Sequence, residues 1–417
     1  MSFFYKKRAL ALVFFFAAWL FNVDGQEKWT DLVSLYGFVR SDMYMDTRNN
    51  KAPALGAFYL YPYDEKFDAN GDDINDRFSH NLYSVLSRFG LKIDAGQYGK
   101  AKLSGNIEVD FLGGDRSVLR IRHAYLKALW EKSSLIVGQY WHPAFVPEGL
   151  PRILSFSTGM PVNPFSRMPQ VQYSKQFGKF NIKGAVLYEF QFKNTSPEIY
   201  SNNDSRPGAI PNLYTGVDFS SGGFLASLGI DFDQVLPRTS YTGTSGEIYK
   251  ATEKVNSLSY LLFSAYHCDD WDFRAKFTYE ENKSDAMMMS GYVVKERDEE
   301  TGFETYTPTR RASVWFNASH GTKWVKSLML LYDKNLGAKD NIGLGGGAYY
   351  GMTDTEKMEY LLTVSSSLQY NYKRLTLGLE PQYSVARYGD TDPISFEVEG
   401  QRSISNLRLL FSTILVF

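Results

Sequence analysis

Basic side chains stand singly or at even spacing in stretches that read as strands: Arg40, Arg88 with Lys92, Arg120 with Arg122, and Arg408. Glu108 and Asp110 share that spacing. On an extended backbone residues two apart point to one side, so each stretch presents its charges on one face. A proline-rich segment, HPAFVPEGLPRILSFSTGMPVNPFSRMP at 142–169, adds Glu148, Arg152 and Arg167. Such arrays break no covalent bonds. They attract, repel and orient ions moving through water. Like charges on one wall are tolerable in water or beside counter-charges, and Glu108, Asp110 and Glu148 are the candidate counter-charges. Two readings compete: an element that selects solutes, and a wall that is charged only because it is wet. Arg152 and Arg167 tilt the first toward anionic or mixed solutes.

Other chemistry finds little support. Catalysis by a nucleophile needs a base positioned beside it, and no Ser/His or Asp/His grouping stands out. The chain therefore reads as no enzyme, with a barrel hydrolase as the weakest alternative. Histidines 80, 123, 142, 267 and 320 are scattered without metal-ligand spacing. His142, next to Trp141, reads as a packed histidine rather than a gate. The acidic stretch at 68–73 has Gly71 at position four and Ser79 at position twelve, so it fails the calcium-loop pattern. The run GLGGGAYYG at 343–351 lacks the Lys-Ser/Thr of a phosphate loop, and Met287 to Met289 read as loop packing. Cys268 is the single cysteine, which excludes an internal disulfide framework. No cofactor and no metal are expected. A net charge of -1 argues against nucleic acid as a partner.

The elements that must carry these charges have a period of two. Ala101, Leu103, Gly105, Ile107, Val109 and Phe111 alternate with Lys102, Ser104, Asn106, Glu108 and Asp110. Residues 223–233 and 271–281 repeat the pattern. Mean hydropathy is -0.31, which excludes a bundle of apolar membrane helices. A β-barrel with a polar lumen keeps that mean low while its outer face is apolar. Aromatics at 16% suit strands and interfacial girdles. Seven short turns, near 94–100, 130–133, 177–180, 220–223, 268–271, 320–323 and 370–373, alternate with eight other connections. Seven of these are long, near 44–79, 142–169, 193–211, 234–255, 283–308, 334–357 and 388–402, and one is tight, at 113–117. The expected fold is all-β, a transmembrane antiparallel barrel of about 16 strands. Ala57 to Tyr63 and 343–351 are further candidate strands. Lys6, Lys7 and Arg8, an apolar run from Ala9 to Phe21 and then Gly25 predict a cleaved signal peptide over 1–25 and a barrel over 26–417. The last strand, ending at Phe417, must pair with one starting near Val33. That closure is expected to bring Arg408 beside Arg40.

Three phrases carry a family likeness: SRFGLKI at 87–93, RIRHAYLKAL at 120–129 and IVGQYW at 136–141. They resemble porins of the DcaP type, with a Bacteroidetes-type porin as the related possibility. The aromatic residue closing an amphipathic last strand resembles the recognition signal of outer-membrane barrels. The likeness implies a homotrimer in the bacterial outer membrane, surrounded by its lipid. It also implies that the loop after strand five folds into the barrel as a constriction, and that small hydrophilic solutes diffuse through. A surface-binding or adhesin role for the long loops is the alternative.

Overall fold

A computed structural model describes residues 32–112, 118–197 and 210–417. The predicted cleavage after Gly25 and the tight connection at 113–117 lie outside these residues. Sixteen strands form the wall. The first eight are β1 (Val33–Asp46), β2 (two pieces, Ser79–Tyr83 and Arg88–Tyr98), β3 (Ala101–Asp110), β4 (Arg120–Leu129), β5 (Ser133–Trp141), β6 (Arg167–Phe177), β7 (Phe180–Leu187) and β8 (Asn212–Ser221). The second eight are β9 (Phe224–Val235), β10 (Val255–Cys268), β11 (Trp271–Glu281), β12 (Glu304–His320), β13 (Trp324–Ala338), β14 (Met358–Tyr372), β15 (Leu375–Thr391) and β16 (Val398–Val416). Each pairs antiparallel with its sequence neighbours, and β16 pairs with β1 to close the barrel. Closure leaves no free sheet edge.

Alternation decides which side chain faces where. Along β13, Leu328, Leu330 and Tyr332 are exposed outside, while Ser327, Met329, Leu331 and Asp333 are buried inside. Aromatic side chains gather near the short turns: Trp324 lies against Tyr370 at 4.6 Å between ring centroids, and Phe180 against Phe219 at 5.2 Å. The seven short turns fall where connection length places them. Ala57 to Tyr63 and 343–351 add no wall strand. They contribute only two-residue ladders, Tyr61–Pro62 against Asn50–Lys51 and Tyr349–Tyr350 against Tyr292 and Val293.

Two features decide where the charges of the wall fall. In β4, a bulge opposite Glu108 and Val109 inserts Arg122 between Ile121 and His123. After it the inward face changes parity, so Tyr125 and Lys127 join Arg120 and Arg122 inside the barrel while Leu126 is exposed outside. At the seam, the register sets Arg40 opposite Ile414 and Asp46 opposite Arg408. The expected meeting of Arg408 with Arg40 is therefore corrected. Six steps of strand separate them, because β16 slides along β1 until Phe417 reaches Gly37.

The lumen is far from empty. Leu261, Phe263, Trp315, Met329 and Leu331 point inward from β10, β12 and β13 and pack with Ala144, Val146, Val162 and Met168. Phe58, Leu60 and Tyr61 from the 47–78 connection pack with Phe145, Met160, Phe165 and Met289. An apolar core thus fills part of the space that a bare wall of 16 strands would leave to water.

Candidate functional site

The loop between β5 and β6 runs across the barrel instead of over its rim. At its root His142 is buried and its Nδ1 accepts the Ala144 N–H at 3.1 Å, the packed histidine expected from sequence. Lys276 on β11 donates to Ala144 O at 2.6 Å and to Asn163 Oδ1 at 2.8 Å. Asn317 on β12 accepts the Arg152 N–H at 2.9 Å. The far tip is clamped from both sides of one residue. Glu380 on β15 accepts the N–H groups of Leu154 and Ser155 at 2.6 and 3.1 Å, and Arg40 on β1 donates to Leu154 O at 2.8 Å. Strands as distant as β1, β11, β12 and β15 hold one loop.

Replacing Glu380 with Ala deletes two hydrogen bonds to the loop backbone, roughly 1 kcal/mol each. The expected result is a barrel that still folds but whose loop tip is held from the Arg40 side alone. Single-channel recordings should then show larger and noisier conductance, and traces identical to wild type would refute the clamp.

The basic wall comes together on β1 to β4 and β6, and most of its arginines are paired. Arg40 Nε lies 2.8 Å from Asp42, and Arg120 Nε 2.8 Å from Asp110. Arg122 reaches both Glu108 at 2.7 Å and Asp110 at 3.0 Å, while Arg88 stands 3.5 Å from Glu108. Glu108 and Asp110 are thus the counter-charges named from sequence. Glu148 is not: it is exposed on a short turn and makes no ion pair among the described residues. Arg152 is half-exposed. Arg408 stands 3.7 Å from Asp46, donates to Gly56 O and lies over the Tyr44 ring at 4.3 Å. Arg167 is buried against Trp141 at 4.6 Å and Phe165 at 5.3 Å.

Sequence reasoning missed the cover over these charges. Phe156, from the loop, sits 5.2 Å from Arg88, 5.6 Å from Arg122 and 5.8 Å from Arg40, and stacks on Phe58. Arg122 keeps 1% of its side-chain surface, whereas Arg88 keeps 16% and Arg120 21%, so only the last two meet water. Asp42 and Asp46 were also missed, although they lie at even spacing from Arg40 and alternation alone could have found them. Toward the short-turn end the wall opens into a cavity of about 610 Å³, lined by Lys92, Lys102, Lys127, Asp94, Asn106 and Tyr125 among others. There Lys92 rests 4.9 Å over the Tyr36 ring and Lys102 pairs with Asp94 at 2.7 Å.

A second charged group ties the loops together at the other end. Lys283 lies 2.7 Å from Asp231 and 3.2 Å from Asp285. Burial works against its charge, but Asp231, Asp285 and Asp233 outweigh that and hold its pKa well above the usual lysine value. Glu189, Asp233 and Asp285 bring carboxylate oxygens within 4.8 Å of one another, the one grouping among the described residues with the spacing of a metal site. Asn194 bridges Glu189 and Asp233 there. The 68–73 stretch closes on itself, with Asp68 accepting the N–H groups of Asn70 and Asp72.

The sequence matches no protein-family model and no curated protein. Solved structures do match in fold. OmpT of Vibrio cholerae is 13% identical, with 92% of this chain and 97% of that one covered at a TM-score of 0.55. Its in-vitro folded trimer form gives 12% identity, 92% and 99% coverage and 0.54. An anion-selective porin from Comamonas acidovorans gives 13%, 92% and 99%, and 0.54. At these identities the likeness is one of fold: a closed, 16-stranded antiparallel barrel of the kind seen in porins.

Proposed function

We propose that the chain is a bacterial outer-membrane porin of DcaP-like type, a homotrimer through which small hydrophilic solutes diffuse passively. The observation that carries this reading is the loop after β5, anchored across the lumen by four distant strands. A loop so placed narrows a channel without closing the barrel at its rim. The apolar outer face and the aromatic side chains near the turns suit a lipid surround. The fold match to the trimer form of OmpT supports the oligomer, and the likeness to an anion-selective porin fits the excess of basic groups facing water.

Anions are the favoured solutes on this reading. Arg88 and Arg120 at the constriction, with Arg152 on the loop, keep contact with water. Below them Lys92, Lys102 and Lys127 outnumber Asp94. In planar bilayers, purified protein should give stepwise conductance, and the zero-current potential in a KCl gradient should carry the sign of chloride preference. A silent barrel would overturn the porin reading, and cation preference would overturn the anion assignment. The double replacement Arg88→Ala with Arg120→Ala should move the reversal potential toward cations; an unmoved potential would make both arginines ordinary wall residues.

A further inference from the structure

Four guanidiniums, those of Arg88, Arg120, Arg122 and Arg167, meet only two carboxylates, Glu108 and Asp110, beneath the constriction loop. Three of the four are accounted for by ion pairs. Arg167 is not. It is 1% exposed, its Nε and Nη1 have no hydrogen-bond partner, and no carboxylate lies within ion-pair distance among the described residues. Its ring contacts, with Phe165 at 5.3 Å and with a Trp141 that the Arg122 guanidinium shares at 5.7 Å, supply no counter-charge. Arg122, Arg120 and Arg88 all repel it, and Asp110 attracts it without reaching ion-pair distance. A guanidinium cannot shed its proton to escape burial, so its charge must be met by something else.

We propose that this nest is a binding site for a resident small inorganic anion, held by Arg167 and reached from the water-exposed side of Arg120. The ligand class follows from the count: the nest carries two positive charges in excess, and a halide or a compact oxyanion such as phosphate fits planar N–H donors. This site differs from the passage described above. The loop residues Phe165 and Phe156 cover the nest, and Arg167 begins β6 directly after the loop, so an anion here neutralises the base of the constriction and fastens it. The inference relies on the porin reading only for the access of bulk anions to the lumen.

The test is anomalous scattering at the bromine edge from crystals of the detergent-solubilised barrel grown in sodium bromide. A bromide peak within hydrogen-bonding distance of the Arg167 guanidinium is expected, and it should vanish in Arg167→Met. No peak in wild type, or one that survives the substitution, overturns the site. Should Arg167→Met not fold, the wild-type thermal midpoint is followed against phosphate at constant ionic strength. A rise that saturates supports the site, and a flat response overturns it. Bilayer recordings on the same preparations separate the two claims. Conductance without bromide removes only the anion site; bromide in a silent barrel removes only the porin reading.

Discussion

Gly37→Val should yield almost no closed barrel. Gly37 lies on β1 where three strands meet, facing Phe89 of β2 and exchanging hydrogen bonds with Phe417, at 3.3 Å from its own N–H and 3.0 Å to its carbonyl. A Cβ at this position would stand 2.3 Å from the Arg88 carbonyl oxygen and 2.8 Å from the Phe417 ring. The first obstacle is backbone and cannot swing aside. The seam must therefore open or slip, and a one-residue slip turns every side chain of β16 to the wrong face. Loss of the compact, heat-modifiable band on a denaturing gel reads the outcome. A normal yield of that band would show that the seam tolerates a side chain and that its register is set elsewhere.

Arg122→Ala is the second large effect. Arg122 alone bridges Glu108 and Asp110, and all three are buried. Its removal leaves two carboxylates facing each other with Arg88 at 3.5 Å and Arg120 at 2.8 Å as remaining partners. Breaking a buried pair from one side costs about 3–5 kcal/mol. A matching fall in the urea midpoint of reversible unfolding in detergent is expected. Combining Arg122→Met with Glu108→Gln should recover much of that loss, because the stranded charge is removed with its partner. A single mutant as stable as wild type would mean that Arg88, Arg120 and water, not Arg122, balance the carboxylates.

Most of the wall was legible because its rule is local. Connection lengths alone placed the seven turns, and the strand run through Lys102, Ser104 and Asn106 needed only alternation. The long segment after β5 announced itself by length and proline content, and Glu108 with Asp110 by spacing. Apart from Asp42 and Asp46, which alternation could have found, the failures are non-local. No signal in residues 33–46 states how far β16 slides along them, so Arg408 was set beside Arg40 when it lies opposite Asp46. Nothing in the spacing of Phe156 foretells that it will cover three arginines from β1, β2 and β4. The apolar side chains Phe263, Trp315 and Met329 followed the inside parity, but a polar lumen was assumed there. They face inward because loops from elsewhere supply their partners.

The bulge in β4 has a consequence for the route a solute would take. A regular ribbon reading RIRHAYLKAL has one phase from end to end. With Arg120 and Arg122 turned to the lumen, Leu126 would share their side and Lys127 would face the lipid. The extra residue acts as a half-wave shift, so one strand serves two charged stations at different depths. The upper station is paired with Glu108 and Asp110 and meets water at Arg120; the lower is open and dominated by lysine. An ion crossing the barrel would therefore meet a descending staircase of charge, built by changing the phase of a single strand.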